Sequence, residues 1–193
     1  MTVPTTSAKP PSGPAERAPA RDRPRLGPAM RKTMVVLHIV TSVSWLALML
    51  CLLVLGTLAL TTDDADTLRT AYRAMPLLGD PLILPLSLLS LLTGLVLALG
   101  TPWGLFRFQW VNVKFWLTLA AAAASVFQLT ARLHEAASVV ARHPTGSIAA
   151  MHLGFTRYNL VIVPFVALTV YVVNVVLSVF KPWGRRRSRA GRR

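Results

Sequence analysis

Four long apolar blocks, separated by shorter stretches that carry charges, prolines and glycines, constrain the fold of this chain more than any other feature. A helix that crosses a bilayer needs about 20 apolar residues, because each residue adds about 1.5 Å and the hydrocarbon layer is about 30 Å thick. The blocks predict membrane spans at about residues 34–60, 81–99, 110–133 and 160–180. The sequence therefore predicts an all-α, multi-pass membrane protein built as a four-helix bundle.

Composition supports this interpretation over a soluble domain. Of the 193 residues, 53% are hydrophobic and 15% are charged, whereas about 25% of the residues of a soluble domain are charged. The first block follows about 30 residues, is about twice as long as the apolar core of a signal peptide, and has no A-x-A cleavage site after it. A retained first span is thus favoured over a cleaved signal peptide.

The distribution of charge predicts the orientation. Four spans place both termini and the loop between spans two and three on one side of the membrane. That side carries 16 of the 21 Lys and Arg residues and two of the seven acidic residues, so the whole net charge of +14 lies there. Because loops rich in Lys and Arg stay inside, both termini are predicted to be cytoplasmic.

The chain divides into three predicted parts. Residues 1–30 form a basic, Pro-rich arm without an apolar period, which indicates disorder. Residues 31–182 form the transmembrane domain, and residues 183–193 form a basic tail. The basic tails favour contact with anionic lipid. Nucleic acid is not a predicted partner, because neither tail interleaves aromatic residues with its cations on a folded surface.

The segment between spans one and two predicts a separate short helix. Asp63, Asp64 and Asp66 precede apolar residues at nearly helical spacing, and acids stabilise the N-terminal end of a helix. Asp80 directly before Pro81 then predicts the start of the second span. A carboxylate can accept the unpaired N–H groups of a first helical turn, and proline is tolerated there.

Polar and small side chains predict which face of each span turns inward, since they need partners inside the bundle. In span three the stripe runs at steps of three and four residues, which is typical of one helix face. The predicted inward residues are Lys114, Thr118, Ala121, Ser125, Gln128 and Arg132 in span three, Pro164, Ala167, Tyr171, Asn174 and Ser178 in span four, His38, Ser42, Trp45 and Gly56 in span one, and Ser87, Ser90 and Gly94 in span two.

Depth places several of these residues near the cytoplasmic surface, where they form a candidate cofactor pocket. Its members are His38, Trp45, Lys114, Tyr171 and Asn174. An ionisable residue inside a membrane is a candidate functional residue by default. His38 is expected either to bind a ligand or to hydrogen-bond to Asn174 or Tyr171 and hold the helices in register. Lys114 can also extend its ammonium group back to the surface.

The opposite side offers a second kind of site. His134 and His152, together with Glu135 and His143, are candidate ligands for copper or zinc, although their spacing matches no recognised ligand pattern. Cys51 is the sole cysteine, which excludes an intrachain disulfide. The sequence has no G-x-S-x-G, P-loop or H-E-x-x-H motif, so no catalytic residue is predicted.

Two motifs resemble those of a group of four-span bacterial membrane proteins. His38 and Trp45, in the context HIVTSVSW, resemble the H-x6-W of the first span of HemJ-type protoporphyrinogen oxidases and of the copper-resistance protein D membrane domain. Trp110 and Lys114 resemble the W-x3-K that opens a later span of the same group. The resemblance covers about residues 31–180 and implies an uncharacterised branch of that superfamily, in the cell membrane of a bacterium.

The resemblance implies a bundle that holds haem b or another tetrapyrrole, with His38 as axial ligand and Lys114 near an acidic substituent. HemJ-type proteins have a further histidine inside the later span, where this chain has Ser125 and Gln128 and reaches His134 only at the outer edge. His38 and His134 are at opposite membrane faces, so a bis-histidine haem is disfavoured and the oxidase activity does not carry over. A five-coordinate haem on His38 remains.

Three functions stay open at this point. The first is a non-enzymatic membrane protein that binds haem or a related cofactor near the inner leaflet, or whose pocket only locks the bundle. The second is a membrane-bound redox enzyme that acts on a tetrapyrrole. The third is a scaffold, or a copper-related transport protein, in which small-residue faces such as Ala120 to Ala124 associate with a second copy or a partner.

Overall fold

Four long helices make up the computed structural model, which describes residues 26–100 and 108–180. They are α1 (Pro28–Thr61), α2 (Ala65–Gly100), α3 (Gln109–Arg142) and α4 (Thr156–Phe180), and each is long and apolar enough to cross a membrane. A 3-10 turn, Ile148–Met151, lies between α3 and α4. The predicted all-α four-helix membrane fold is confirmed. The predictions for residues 1–25 and for the basic tail lie outside the described residues.

The helices form a ring in chain order. α1 packs between α2 and α4, and α3 packs between α2 and α4 on the opposite side. The backbone N–H of Leu26 donates to the carbonyl of Gly100 over 3.2 Å, so α1 begins where α2 ends. We call this end, where α1 and α3 begin and α2 and α4 end, the basic end, and the other the loop end. At the loop end Arg157 Nη2 donates to the Leu60 carbonyl over 3.0 Å, which satisfies one of the last carbonyls of α1.

α2 corrects the predicted start of the second span. The segment expected to form a separate short helix is continuous with the span, and Pro76, Pro81 and Pro85 lie inside α2. The carboxylate that caps α2 belongs to Asp64, which accepts from the backbone N–H of Thr67 over 2.9 Å. Asp80 lies in the interior of α2 and therefore caps no helix end. One buried face runs through Tyr72, Met75, Gly79 and Ile83, and its packing holds the helix together across Pro81.

In α3, one residue of the predicted inward stripe lies on the outside of the bundle. Its α-helical parts, Gln109–Ala123 and Thr130–Arg142, flank a π-helical segment, Ala124–Leu129. A π turn contains more residues than an α turn, so the inward face shifts by one position. Ser125 and Leu129 are fully buried, whereas Gln128 is exposed. The prediction that Gln128 turns inward was therefore wrong.

α1 and α4 approach each other closely at Gly56. A Cβ atom added there would lie 2.6 Å from the backbone carbonyl oxygen of Leu160. Real Cβ atoms do not come that close to a backbone oxygen, so glycine is what allows this contact between the two helices. Around it lies the apolar core, with Met49, Leu52 and Met75 fully buried.

Candidate functional site

A cavity of about 430 Å³ lies at the basic end among α1, α2 and α3. Its walls are mainly apolar, and its polar groups come from all three helices. Pockets of this size and composition are typical of sites for cofactors and small ligands. The apolar lining includes Val35, Leu91, Leu95, Val111 and Phe115, and the polar lining residues are Arg31, His38, Ser90, Lys114 and Thr118.

His38 is held against α2 by a hydrogen bond that fixes its tautomer. Its Nδ1 lies 3.0 Å from Thr93 Oγ1, and that hydroxyl donates its single proton to the Leu89 carbonyl over 2.6 Å. Thr93 can then only accept from His38, so Nδ1 carries the ring proton and Nε2 carries a lone pair. The imidazole also interacts with the Ser90 backbone carbonyl, another group that can only accept, and the contact with Thr93 involves Nδ1.

Gly94 makes room for this arrangement. A Cβ atom at position 94 would lie 3.1 Å from His38 Cε1, closer than most real side-chain contacts allow. One turn deeper, Ser42 and Ser90 share a hydrogen bond of 2.9 Å between α1 and α2. These contacts correct the expectation that His38 bonds to Asn174 or Tyr171. The imidazole faces α2, and its partner is Thr93.

Lys114 belongs to a polar group that joins α3 to α4. Its ammonium donates to the Ser178 hydroxyl, which donates to the Asn174 carbonyl over 2.9 Å. Asn174 Nδ2 donates to Thr118 Oγ1 over 2.9 Å, whereas Asn174 Oδ1 is buried without a partner. The Lys114 side chain is thus positioned by neutral hydroxyl groups while it lines the cavity.

Two cations line the cavity, and no carboxylate of the described residues pairs with them. Arg31 and Lys114 take part in no ion pair among the described residues. All acidic residues of the described ranges lie toward the loop end, namely Asp63, Asp64, Asp66, Asp80 and Glu135. An apolar cavity with two unneutralised cations favours a ligand that has an apolar body and acidic groups.

The structure brings together only part of the predicted cofactor pocket. His38 and Lys114 both line the cavity. Asn174 is connected to it through Thr118 and through Ser178 and Lys114, and Tyr171 packs against the apolar core. Trp45 is 8% exposed in that core, and its buried Nε1 has no hydrogen-bond partner. Trp45, Tyr171 and Asn174 therefore support the bundle next to the cavity rather than line it.

Sequence reasoning missed Thr93, Arg31 and Ser90 as members of this site. Thr93 follows Ser90 by three residues and so shares the inward face of α2, and this spacing was the available signal. In the sequence, Arg31 contributes only to the number of cations on the side predicted to be cytoplasmic. Nothing in the pattern identifies which helix faces which, and that assignment decides the partner of His38.

The outer histidines do not form a metal centre with three or more ligands. No group of three or more His, Cys, Asp and Glu side chains occurs within residues 26–100 and 108–180. His134 Nε2 instead lies 2.9 Å from an Asp80 carboxylate oxygen. His143 Nδ1 contacts the Val139 carbonyl at 2.9 Å, and His152 follows the 3-10 turn with a left-handed backbone, φ 43°. The geometry gives the predicted metal role of His134 and His152 no support.

Other charged groups at the loop end serve local structure. Arg132 pairs with Glu135 over 2.6 Å. Arg69, 5% exposed, donates to the carbonyls of His143 and Gly146 over 2.9 and 2.7 Å and pairs with Asp66 over 2.8 Å. The charged groups at this end thus form ion pairs and hold the loop in place. Its arrangement favours a structural role.

Comparison with known proteins adds no family to these observations. No protein family, curated protein or solved structure matches the chain. The geometry of the cavity therefore carries the functional argument.

Proposed function

We propose that this protein binds a haem b, or a closely related tetrapyrrole, in the cavity among α1, α2 and α3. One observation carries the proposal: the His38 imidazole lines the cavity with Nδ1 3.0 Å from Thr93 Oγ1, and the Thr93 proton is directed to the Leu89 carbonyl. This arrangement favours the tautomer with the proton on Nδ1, whose Nε2 lone pair would bind the iron. Histidine ligands of metals almost always donate their other ring N–H in this way, because the contact fixes the tautomer and the ring plane.

The rest of the lining fits the same ligand class. Leu91, Leu95 and Phe115 supply apolar contact for a flat macrocycle, and the cations of Arg31 and Lys114 suit its acidic substituents. Two motifs support the same assignment. HIVTSVSW and the W-x3-K formed by Trp110 and Lys114 resemble motifs of the copper-resistance D and HemJ-type group. When bound, haem supplies one-electron redox chemistry, whereas the chain's own residues bind it, orient it and exclude water.

The cellular setting follows from charge. We infer that the basic end faces the cytoplasm, because Arg31, Lys32 and Lys114 lie there and the acidic residues of the described ranges lie toward the other end. The resemblance to bacterial membrane proteins favours the cell membrane of a bacterium. The cavity then opens near the inner leaflet. The cations of residues 1–25 and 181–193 would reinforce its attraction for anionic lipid.

An absorption spectrum of the detergent-purified protein, oxidised and then reduced with dithionite, tests the proposal. The parent chain expressed with excess haem precursor should show a Soret band, and His38→Ala should lose it. His152→Asn is the matched control, since it removes a histidine far from the cavity at a left-handed position that asparagine tolerates. A parent without the band, or a His38→Ala variant that keeps it, would refute axial ligation by His38.

The two cations provide a second, independent measurement. Arg31→Met and Lys114→Met should each weaken haem affinity roughly 5-fold, the equivalent of about 1 kcal/mol for a partly exposed charge pair. Arg142→Met removes a cation at the loop end and should leave the affinity unchanged. If the affinity falls equally in all three variants, net charge rather than contact at the cavity governs binding.

A further inference from the structure

The π-helical segment of α3 places an amide side chain on the surface of the bundle. Ser125 and Leu129 are fully buried, and between them Phe127 is 76% exposed and Gln128 is exposed as well. Gln128 makes no hydrogen bond with any of the described residues. Gln128 lies about five residues before the end of the predicted third span, which corresponds to a depth of roughly 7 Å at the helical rise.

An unpaired primary amide at this depth is unfavourable in lipid, because hydrocarbon offers it neither a donor nor an acceptor. Thr169, another exposed polar residue of a span, shows the usual solution: its hydroxyl donates to the Phe165 carbonyl of its own helix over 2.9 Å. Among the described residues, the Gln128 amide makes no such bond to its own helix and none to another side chain. A partner outside the described residues, or the headgroup layer, would have to satisfy it.

The chemistry of the amide favours a second copy of the chain. Glutamine carries both a donor and an acceptor, so two Gln128 side chains related by a twofold axis satisfy each other. Small residues flank it on the same helix, with Ala120 and Ala131 exposed and Ala124 half-buried, and they allow two backbones to approach. We propose that the protein forms a homodimer in the membrane through α3, with the Gln128 amide of each copy donating to the Gln128 carbonyl oxygen of the other.

Energy transfer between donor- and acceptor-labelled copies in phosphatidylcholine and phosphatidylglycerol vesicles tests this dimer over a range of protein-to-lipid ratios. Gln128→Leu should raise the dissociation constant about 3- to 30-fold, as expected for one interhelical polar contact in lipid. Gln128→Asn should retain part of the association because it keeps the amide. Thr169→Val is the matched control and should associate like the parent.

Crosslinking supplies a geometric readout that does not depend on the amide. In a Cys51→Ser background, oxidation should join Ala131→Cys copies through a disulfide, because position 131 lies beside the proposed axis. Val54→Cys, 59% exposed on α1 across the ring from α3, should give little crosslinking. Circular dichroism checks that each variant is folded.

Three results would overturn the proposal. A parent protein that stays monomeric at every ratio would show that the amide reaches the headgroup layer or another protein instead. Association of Gln128→Leu equal to that of the parent would show that the amide contact does not hold a dimer, and equal crosslinking at positions 131 and 54 would show that α3 is not the interface. None of these results bears on haem binding at His38, which rests on separate residues.

Discussion

The His38 imidazole donates through Nδ1 to the Thr93 hydroxyl, 3.0 Å away on the neighbouring helix. The hydroxyl is committed in turn to the Leu89 carbonyl. The pair therefore sets which ring nitrogen is protonated and which carries a lone pair. A single threonine of α2 thus decides what the only histidine that lines the cavity can bind.

Thr93→Val should weaken haem affinity about 10- to 100-fold, the usual effect of removing a partner that orients a metal-binding histidine. The change keeps the shape of the side chain but removes the hydroxyl acceptor that faces Nδ1. A haem titration followed at the Soret band measures it. Thr169→Val, the same substitution on the surface of α4, should bind like the parent, and equal affinity in the two variants would remove Thr93 from the site.

Gly56→Ala should destabilise the bundle by about 1–3 kcal/mol, the range for overpacking a well-packed interior. The added methyl group meets the backbone oxygen of Leu160, which cannot turn aside. Gly79→Ala is the control, since its methyl group meets the end of the flexible Leu133 side chain at the same 2.6 Å. Unfolding in mixed micelles by sodium dodecyl sulfate should show the larger loss for Gly56→Ala, and the opposite order would contradict the contact between α1 and α4.

Arg69→Met should loosen the loop between α3 and α4. The buried guanidinium binds the carbonyls of His143 and Gly146, and hydrogen bonds to a charged group contribute about 1.5–3 kcal/mol each. Proteolysis within residues 143–147 should become faster, and unfolding should require less denaturant. Arg73→Met, one turn along α2 at an exposed position, should leave both unchanged. Similar cleavage of the two variants would mean that Arg69 does not hold the loop.

The start of α2 should fray in acid. Hydrogen bonds from the Thr67 hydroxyl and from the backbone N–H groups of Thr67 and Asp66 lower the pKa of Asp64 below its ordinary value. A carboxyl group whose pKa is lower in the folded state stabilises the fold above its unfolded pKa, about 3.9. That contribution is lost as the pH falls through the lower folded value.

Hydrogen exchange at the backbone amides of residues 65–68 measures this effect. Protection relative to the intrinsic rate should drop as the pH falls below about 4, and Asp64→Ala should lower it already at neutral pH. Asp63→Ala should behave like the parent, because no hydrogen bond of the cap uses Asp63. Equal protection in Asp64→Ala and the parent would show that the cap does not hold this turn.

The sequence by itself determined the class of the fold and most of the inward faces. Apolar length fixes the number of spans, because backbone groups in a bilayer must be paired within the protein and an apolar helix pairs its own. Polar side chains of these helices must then turn toward one another. The inward positions of Ser87, Ser90 and Gly94 follow from that requirement alone. The same reasoning correctly placed His38 and Lys114 near one end of the bundle.

Tertiary structure decided which partner each inward group meets. Helix periodicity is a local property, whereas the choice of Thr93 over Asn174 for His38 depends on the order of the helices around the ring. Packing of Tyr72, Met75 and Ile83 carries α2 through Asp80 and Pro81, although those two residues locally favour a helix start. The π segment turns Gln128 outward by one residue, because the fit of Ser125 and Leu129 into the core outweighs the regular period of an α-helix.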